Sequence, residues 1–284
     1  VAPEKTVSRR LWINAGLAAL VATLGWLVFF KPETLPSADY QLSTLATTSV
    51  DEISIALANR PRVMLRKRKG EWFVTEPFAA RADSARIEGL LGLLSAQSAK
   101  RMAAQDLARF QLDKPLARVR IGNQEFVFGG TQPLTNQLYV LTQGAVYLVS
   151  PVYFVDVAKQ AADYISKQFL DDNEVPLAFE FPRFKLSRID GKWRMTPQAG
   201  APTQDDANRF ADEWRHAMAM NVAPAAIPKA SEFISVKLNS GKTVKVYYTR
   251  DETEWVLVRA DEKLAYHFTA EAAKRLLSPK FAPP

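Results

Sequence analysis

The chain has no cysteine and only two histidines, His216 and His267, in 284 residues. The first absence removes disulfides, thiolate metal sites and cysteine nucleophiles, and it is compatible with a bacterial periplasm. The second leaves two imidazoles far apart in sequence, with no carboxylate set beside either of them that resembles a metal site. Phosphate-binding glycine patterns are missing too. Gly129-Gly130 belongs to neither GxGxxG nor GxxxxGK, so it reads as a turn between strands. His267, in Leu264-Ala-Tyr-His-Phe268, faces away from the apolar side of its strand, and His216 sits on the polar side of a helix. Acid pairs occur at Asp171-Asp172, near Glu174, and at Asp205-Asp206. The first pair reads as linker charge. The second falls in the first turn of a helix, where negative charge suits the dipole. No acid, base and nucleophile come together, so the chain is expected to be no enzyme and to carry no cofactor or metal.

Long apolar runs are absent with one exception. Residues 11–30, LWINAGLAALVATLGWLVFF, hold no charge. As a helix they would span about 30 Å, the thickness of a bilayer's hydrocarbon core. Lys5, Arg9 and Arg10 precede the run against Glu4 alone, whereas Lys31 and Glu33 follow it. That asymmetry places residues 1–10 in the cytoplasm and the bulk of the chain across a bacterial inner membrane, in a single pass. Trp12, Trp26, Phe29 and Phe30 mark the two ends. A cleavable leader has a shorter apolar stretch and a small-x-small site; here the nearest candidate, residues 36–38, begins with Pro36, so a retained anchor is expected. Ala15, Ala18, Ala22 and Gly25 form a small face that would let another membrane helix approach; such residues are also common in membrane helices generally.

Lysine and arginine number 37 against 30 acids, a net charge of +7. The tail's three cations and one acid account for +2, which leaves +5 on the rest. A mild excess of this kind fits anionic lipid or an acidic partner and argues against nucleic acid.

After a tether over residues 31–43, two similar stretches follow, 44–170 and 171–284. Residues 53–57 alternate as a half-buried strand does. Val63 and Leu65 alternate with Arg62, Met64, Arg66 and Arg68; Lys69-Gly70 makes a hairpin turn, and residues 72–75 return to Pro77. Asp83 can cap a helix with Ile87, Leu90, Leu91 and Leu94 on one face. A loop over 106–115 precedes strands at 117–121, 124–128, 138–141 and 146–149. Ser150-Pro151 then opens a helix expected to reach Gln160. The second stretch repeats the order: a strand at 178–181, a hairpin through Asp190-Gly191 to Trp193 and Pro197, and a helix capped by Thr203 with Ala207, Phe210, Ala211, Trp214 and Met218 inside. Four strands follow at 234–238, 243–248, 255–258 and 264–268, then a helix capped by Thr269 with Ala272, Leu276 and Leu277 inside. Trp72 to Trp193 and Thr75 to Thr196 are each 121 residues apart, and Ser150 to Thr269 is 119. That spacing is too long for a solenoid repeat. The expected fold is α+β: a single N-terminal transmembrane helix, then two tandem, duplicated antiparallel-sheet-plus-helix domains joined near 170–176.

The pattern Leu65…Gly70-x-Trp72-x-x-Thr75-x-Pro77, Ala82-Asp83, Asp106-Leu107-x-x-Phe110-x-Leu112-Asp113-x-Pro115, Phe128-Gly129 and Tyr139-Val140 resembles an uncharacterised bacterial envelope domain, often duplicated behind one membrane helix. It is often encoded beside, or fused to, auxiliary subunits of gliding-motility-type ABC transporters. The resemblance spans most of residues 40–280 and implies no catalytic residues. Gln111 stands where that family tends to have glycine, and the second copy lacks the Asp-Leu…Leu-Asp-x-Pro segment.

The hairpin near Arg62, Arg66 and Arg68 is the most charged surface feature, with Arg60, Lys67 and Lys69 also close by and no acid among them. It reads either as a contact for an anionic partner or as a solvated edge strand charged against sheet-to-sheet aggregation. The function expected is a membrane-anchored, non-enzymatic accessory or scaffold subunit of an inner-membrane complex, ABC-transporter-linked on the resemblance. Its partners are other membrane subunits and the lipid bilayer. The alternative is a periplasmic binding module for an anionic glycan or lipid headgroup.

Overall fold

The protein is described by a computed structural model over residues 9–29, 40–198, 200–228, 232–250 and 254–281. It falls into two units, residues 1–39 and 40–284. The first contains helix α1 (Arg9–Phe29). Seven large apolar side chains along it, from Trp12 to Trp26, are more than half exposed. Among the described residues no helix is long and apolar enough to cross a membrane. The expected span over 11–30 is therefore not supported among the described residues. Most of the expected tether, residues 31–39, lies outside the described residues. Its last residues do not behave as a tether: Tyr40 and Gln41 pair as a short strand, and Leu42 is fully buried.

The second unit is α+β. Its first half runs β1 (Tyr40–Gln41), β2 (Glu52–Leu57), β3 (Val63–Arg68), β4 (Glu71–Glu76), β5 (Ala80–Arg81), α2 (Ser84–Leu91), β6 (Gln97–Ser98), β7 (Arg101–Ala103), β8 (Ala117–Ile121), β9 (Gln124–Thr131), β10 (Leu138–Thr142), β11 (Ala145–Val149) and α3 (Val152–Val155). Its second half runs β12 (Pro176–Glu180), β13 (Lys185–Ile189), β14 (Lys192–Thr196), α4 (Gln204–Arg215), β15 (Asn221–Pro224), β16 (Phe233–Leu238), β17 (Thr243–Arg250), β18 (Glu254–Arg259), β19 (Leu264–Thr269) and α5 (Ala270–Leu277).

Apart from the small β1–β6 pair, the strands form two sheets of the same order. One is β5-β4-β3-β2-β8-β9-β10-β11-β7 and the other β14-β13-β12-β16-β17-β18-β19-β15. Remove β5 and each strand has a counterpart. The period-two pattern produces this directly: Ala117, Val119 and Ile121 are buried while Arg118 and Arg120 point out, and Ile234, Val236 and Leu238 repeat the alternation. Both hairpin turns take two residues of positive φ, Lys69-Gly70 and Asp190-Gly191. Asp83, Thr203 and Thr269 cap α2, α4 and α5 through their side chains, as expected.

Several expectations fail for local reasons. The helix after Pro151 is a single α turn, and the chain enters a 3-10 turn by Ala161. Met218 lies beyond α4 and is exposed. On α5 the buried pair is Ala273 and Leu276, with Ala272 and Leu277 only half-buried. Gly129 and Gly130 lie inside β9, not in a turn. Their missing side chains make room for the crossing loop: a Cβ on Gly129 would meet the Phe110 carbonyl oxygen, and one on Gly130 would meet the Gln111 amide. Gln111 itself adopts φ 56°, the left-handed conformation that glycine favours.

Nor are the halves independent domains. One apolar core runs through both, and the expected linker is part of it, with Phe169 and Leu170 fully buried. The segment is also hydrogen-bonded to both sides. Asp83 N–H donates to Tyr164 O at 2.8 Å and Ser166 N–H to Arg81 O at 2.9 Å. Phe169 N–H donates to Ala217 O and Ala219 N–H to Lys167 O, both at 2.9 Å.

Candidate functional site

The greatest concentration of buried charge lies where this connecting segment meets the second sheet. Arg259 ends β18 with its side chain fully buried. It binds Glu174 through both terminal nitrogens, at 2.8 and 3.0 Å, and Asp261 at 2.9 and 3.3 Å. It also donates to the Phe169 carbonyl at 2.6 Å. Burial opposes the guanidinium's charge, but the hydrogen bond to Glu174 and the fields of Glu262 and Asp261 outweigh it, so the pKa rises. Burial likewise pushes the acids up, and Arg259 outweighs it again. Glu174 is lowered, and Asp261, with Lys242 2.6 Å away, is held at about 2.

Arg81, from the short strand β5 of the first half, reaches the same place. It binds Glu262 at 2.8 Å, the Gln168 and Phe169 carbonyls at 2.9 and 3.3 Å, and the Tyr266 hydroxyl at 3.1 Å. Tyr266 in turn donates to Glu262 at 2.6 Å. Two arginines thus tie β5, the connecting segment and the β18–β19 hairpin together, and each guanidinium is spent on acceptors of this chain. Every side chain in the cluster has a partner, which is what a structural clamp requires; none is a free base or nucleophile. The linker acids Asp171 and Glu174 belong to this clamp, Asp171 lying 3.9 Å from Arg81. Sequence reasoning missed Arg81 and Arg259. Neither carries a signal, since an arginine ending a strand reads as exposed.

Beside the clamp lies a cleft of about 510 Å³. The turn residues Gly70 and Glu71 with Trp72 form one wall, the start of α2 another, and Lys167, Gln168 and Met218 a third. Trp72 is half-buried against the core, and Trp193 is buried with its ring N–H on Asn208, so both tryptophans pack.

Of the expected anionic-partner residues, Arg66 and Arg68 are exposed on one face of the first sheet, and Arg62 is exposed just before β3. Arg66 faces Glu52 at 2.8 Å. Because β3 pairs with both β2 and β4, it is an interior strand, and the edge-strand reading of the hairpin fails. The register extends the basic face. Arg118 and Arg120 sit opposite Ala56 and Ser54, on the side that carries Arg66. Glu125 approaches them at 3.9 and 3.8 Å. Alternation in Ala-Arg-Val-Arg-Ile was the signal for these two.

On α1, Ala15, Ala18 and Ala22 are exposed, and Gly25 has open space where a Cβ would stand. His267 faces Glu254 at 3.0 Å, and His216 bonds the Asp212 carbonyl of its own helix. Among the described residues no group of three or more histidines or acids could hold a metal.

A family model described as a domain of unknown function, DUF4340, matches residues 72–278, from Trp72 in β4 to just past α5, and so takes in both sheets. No curated protein and no solved structure matches the chain.

Proposed function

We propose, from the premise that the chain belongs to the DUF4340 family, that it is a non-enzymatic accessory subunit of an inner-membrane complex, holding a rigid two-sheet body on an N-terminal anchor. The observation that carries this reading is the clamp. Arg81 and Arg259 convert the joint between the halves into a fixed, buried contact, so the body offers a stiff surface and keeps no free catalytic group there. A helix apolar on every side needs apolar surroundings. Among the described residues of its own unit α1 finds none, and the uncharged run continues to Phe30 beyond its described side chains. The reading places that helix in the bilayer with residues 1–10 cytoplasmic, packs Ala15, Ala18, Ala22 and Gly25 against a partner helix, and treats the two sheets as a duplication of one unit. A link to an ABC transporter rests on the resemblance alone.

The test is extraction of cell membranes followed by mild-detergent purification. The chain should stay with the membrane in alkaline carbonate, and other membrane subunits should accompany it in fixed ratio. If it is released by carbonate, or runs alone as a monomer, the reading fails. Ala18→Leu with Ala22→Leu should release the partners.

A second reading, a binding module for an anionic glycan or lipid headgroup, is favoured by one observation. Arg118 and Arg120 join Arg66 on one sheet face opposed by few acids. Binding to anionic vesicles that disappears on neutralising Arg66, Arg118 and Arg120 would promote it over the first.

A further inference from the structure

Helices α4 and α5 of the second half leave between them a groove of about 700 Å³ that the accessory-subunit reading does not use. Its floor is apolar. Phe210 comes from α4 and Phe281 from the segment after α5, and the two rings meet edge to face with centroids 5.5 Å apart. Pro202 and Pro279 complete the floor at its ends. The rim is charged, and its acids are spent. Asp206 accepts the Thr203 hydroxyl at 2.7 Å and faces Arg209 at 3.8 Å. Glu213 and Glu271 both hold Arg275, at 2.9 and 3.0 Å. Lys274 and Lys280 line the same groove, are exposed, and have no ion-pair partner among the described residues.

In the first half the corresponding helix contact is closed, for a visible reason. The helix caps Asp83 and Thr203 correspond, 120 residues apart, so Gly89 corresponds to Arg209. At Gly89 the helix stands against Asp156, whose carboxylate a Cβ would strike, and Arg86 seals the contact to Asp156 at 2.8 Å. The groove is thus a property of the second half, and not a by-product of the shared topology.

Its volume falls within the ~300–1,000 Å³ of small-ligand sites, and its chemistry is theirs: a greasy floor with a few placed polar groups. The rim arginines, which suit two-pronged phosphate recognition, are engaged by acids of this chain. The free cations are lysines, point charges suited to a single carboxylate. We propose that the α4–α5 groove binds a long-chain fatty acid, its hydrocarbon chain over Phe210 and Phe281 and its carboxylate at Lys274 and Lys280.

The experiment uses the full chain at fixed non-ionic detergent, with a diazirine-bearing palmitate as probe and the crosslinked peptides mapped by mass spectrometry. Labelling is expected within 200–214 and 270–281, competed by palmitate far better than by hexadecanol. It should fall about tenfold in the Lys274→Glu, Lys280→Glu double variant. Lys114→Glu, in the exposed loop before β8, should leave labelling unchanged and serve as the control for added negative charge. Crosslinks confined to residues 11–30, equal competition by hexadecanol, or full labelling of the double variant would each overturn the proposal. So would displacement of the probe by an acidic amphipathic peptide at lower concentration than palmitate, since the groove would then be a helix-docking site.

Discussion

At the hairpin that ends β10 in the first sheet and β18 in the second, both halves bury a polar side chain and join it to the chain segment entering that half. The register makes the positions equivalent: Thr142 pairs with Ala145, and Arg259 with Leu264, the first residues of the following strands. In the first half the network is neutral. Thr142 accepts from the Gln124 amide at 2.9 Å, and that amide donates to the Leu42 carbonyl at 2.8 Å while the Ser43 hydroxyl donates to Gln124 at 2.6 Å. In the second half Arg259 does the whole task with charge, reaching the Phe169 carbonyl, Glu174 and Asp261. The difference follows from what each segment must hold. Residues 40–43 anchor one half, whereas 164–174 join two. A guanidinium has five N–H donors and can satisfy several acceptors at once.

Making the second hairpin like the first is therefore the largest perturbation. Arg259→Thr leaves Glu174 and Asp261 without their buried cation, and breaking such a pair costs about 3–5 kcal/mol. Thr142→Ala should cost about 1 kcal/mol, the scale of one neutral hydrogen bond. Urea unfolding of both variants measures the contrast; equal losses would show that the clamp does no more than the neutral network.

A second contrast is what lies over each sheet. The loop after β7 covers the outer face of the first, with Phe110 and Leu112 buried against Val127 and Val146. On the second sheet no such loop is found among the described residues. The position of Val127, paired to Arg118, becomes Lys245, paired to Ser235. Phe233 is exposed there, its ring 5.6 Å from that of Tyr247. Phe110→Ala should cost about 3 kcal/mol, the lower end for a buried aromatic. Phe233→Ala should cost well under half of that by the same unfolding measurement.

Acid separates the halves next. Asp261 has a folded pKa of about 2 against an ordinary 3.8, because Arg259 and Lys242 outweigh its burial. Its folded form binds the proton more weakly than the unfolded chain does. The stabilisation is therefore fully present above about pH 4 and fades as pH falls to about 2, a total of about 2 kcal/mol. Glu174 moves the same way. Stability followed by urea midpoint should drop across that window in the native chain and less in Arg259→Thr, which has already lost the cation. An identical acid slope in both would place the responsible carboxylates elsewhere.

How much of this was legible in the sequence depends on whether a residue's partner is local. Turns and caps are local: Lys69-Gly70, Asp190-Gly191, Asp83, Thr203 and Thr269 all stand where the pattern put them. The shared strand order follows from alternation and matched spacing. The edge strands β7 and β15 were missed because three and four residues, RMA and NVAP, show no alternation. The clamp was missed because Arg81 finds Glu262 181 residues away, and no local pattern encodes that. Leu170 reads as the start of a linker because acids follow it immediately, though it is fully buried. The small face of α1 and the basic hairpin were legible as residues, but the extension of that face to Arg118 and Arg120 needed the register.

The sheet edges give a finer contrast. Trp72 O accepts from the Ala82 N–H at 2.9 Å as β5 covers β4. Among the described residues the second sheet has no strand there. Instead the Gln204 side chain meets Trp193 like a strand of one residue, accepting from its N–H and donating to its carbonyl, both at 2.8 Å. Gln204→Ala should cost about 1–2 kcal/mol, the two bonds lost from a half-buried edge. It should also leave β14 able to pair with another molecule, a hazard that open edges carry. Concentration-dependent dimers in sedimentation would confirm that consequence, and a monomer at every concentration would assign the edge's protection to Lys192 and Arg194 instead.

The smallest effect on stability is expected at the basic face. Arg66 and Glu52 lie 2.8 Å apart but are each about half exposed, at 49% and 46%. A solvated pair of this kind is worth under about 1 kcal/mol, and salt screens it further. Arg66→Ala should thus shift the urea midpoint little, and less at high salt. The same substitution tests whether the face is used. If anionic vesicles or an acidic partner bind there, removing Arg66 with Arg118 and Arg120 should abolish binding at unchanged stability, whereas the Lys185–Glu180 pair of the second sheet, equally exposed, should matter to neither. Loss of binding from the Lys185 change as strongly as from the arginine changes would mean that net charge, and not the first sheet's face, attracts the partner.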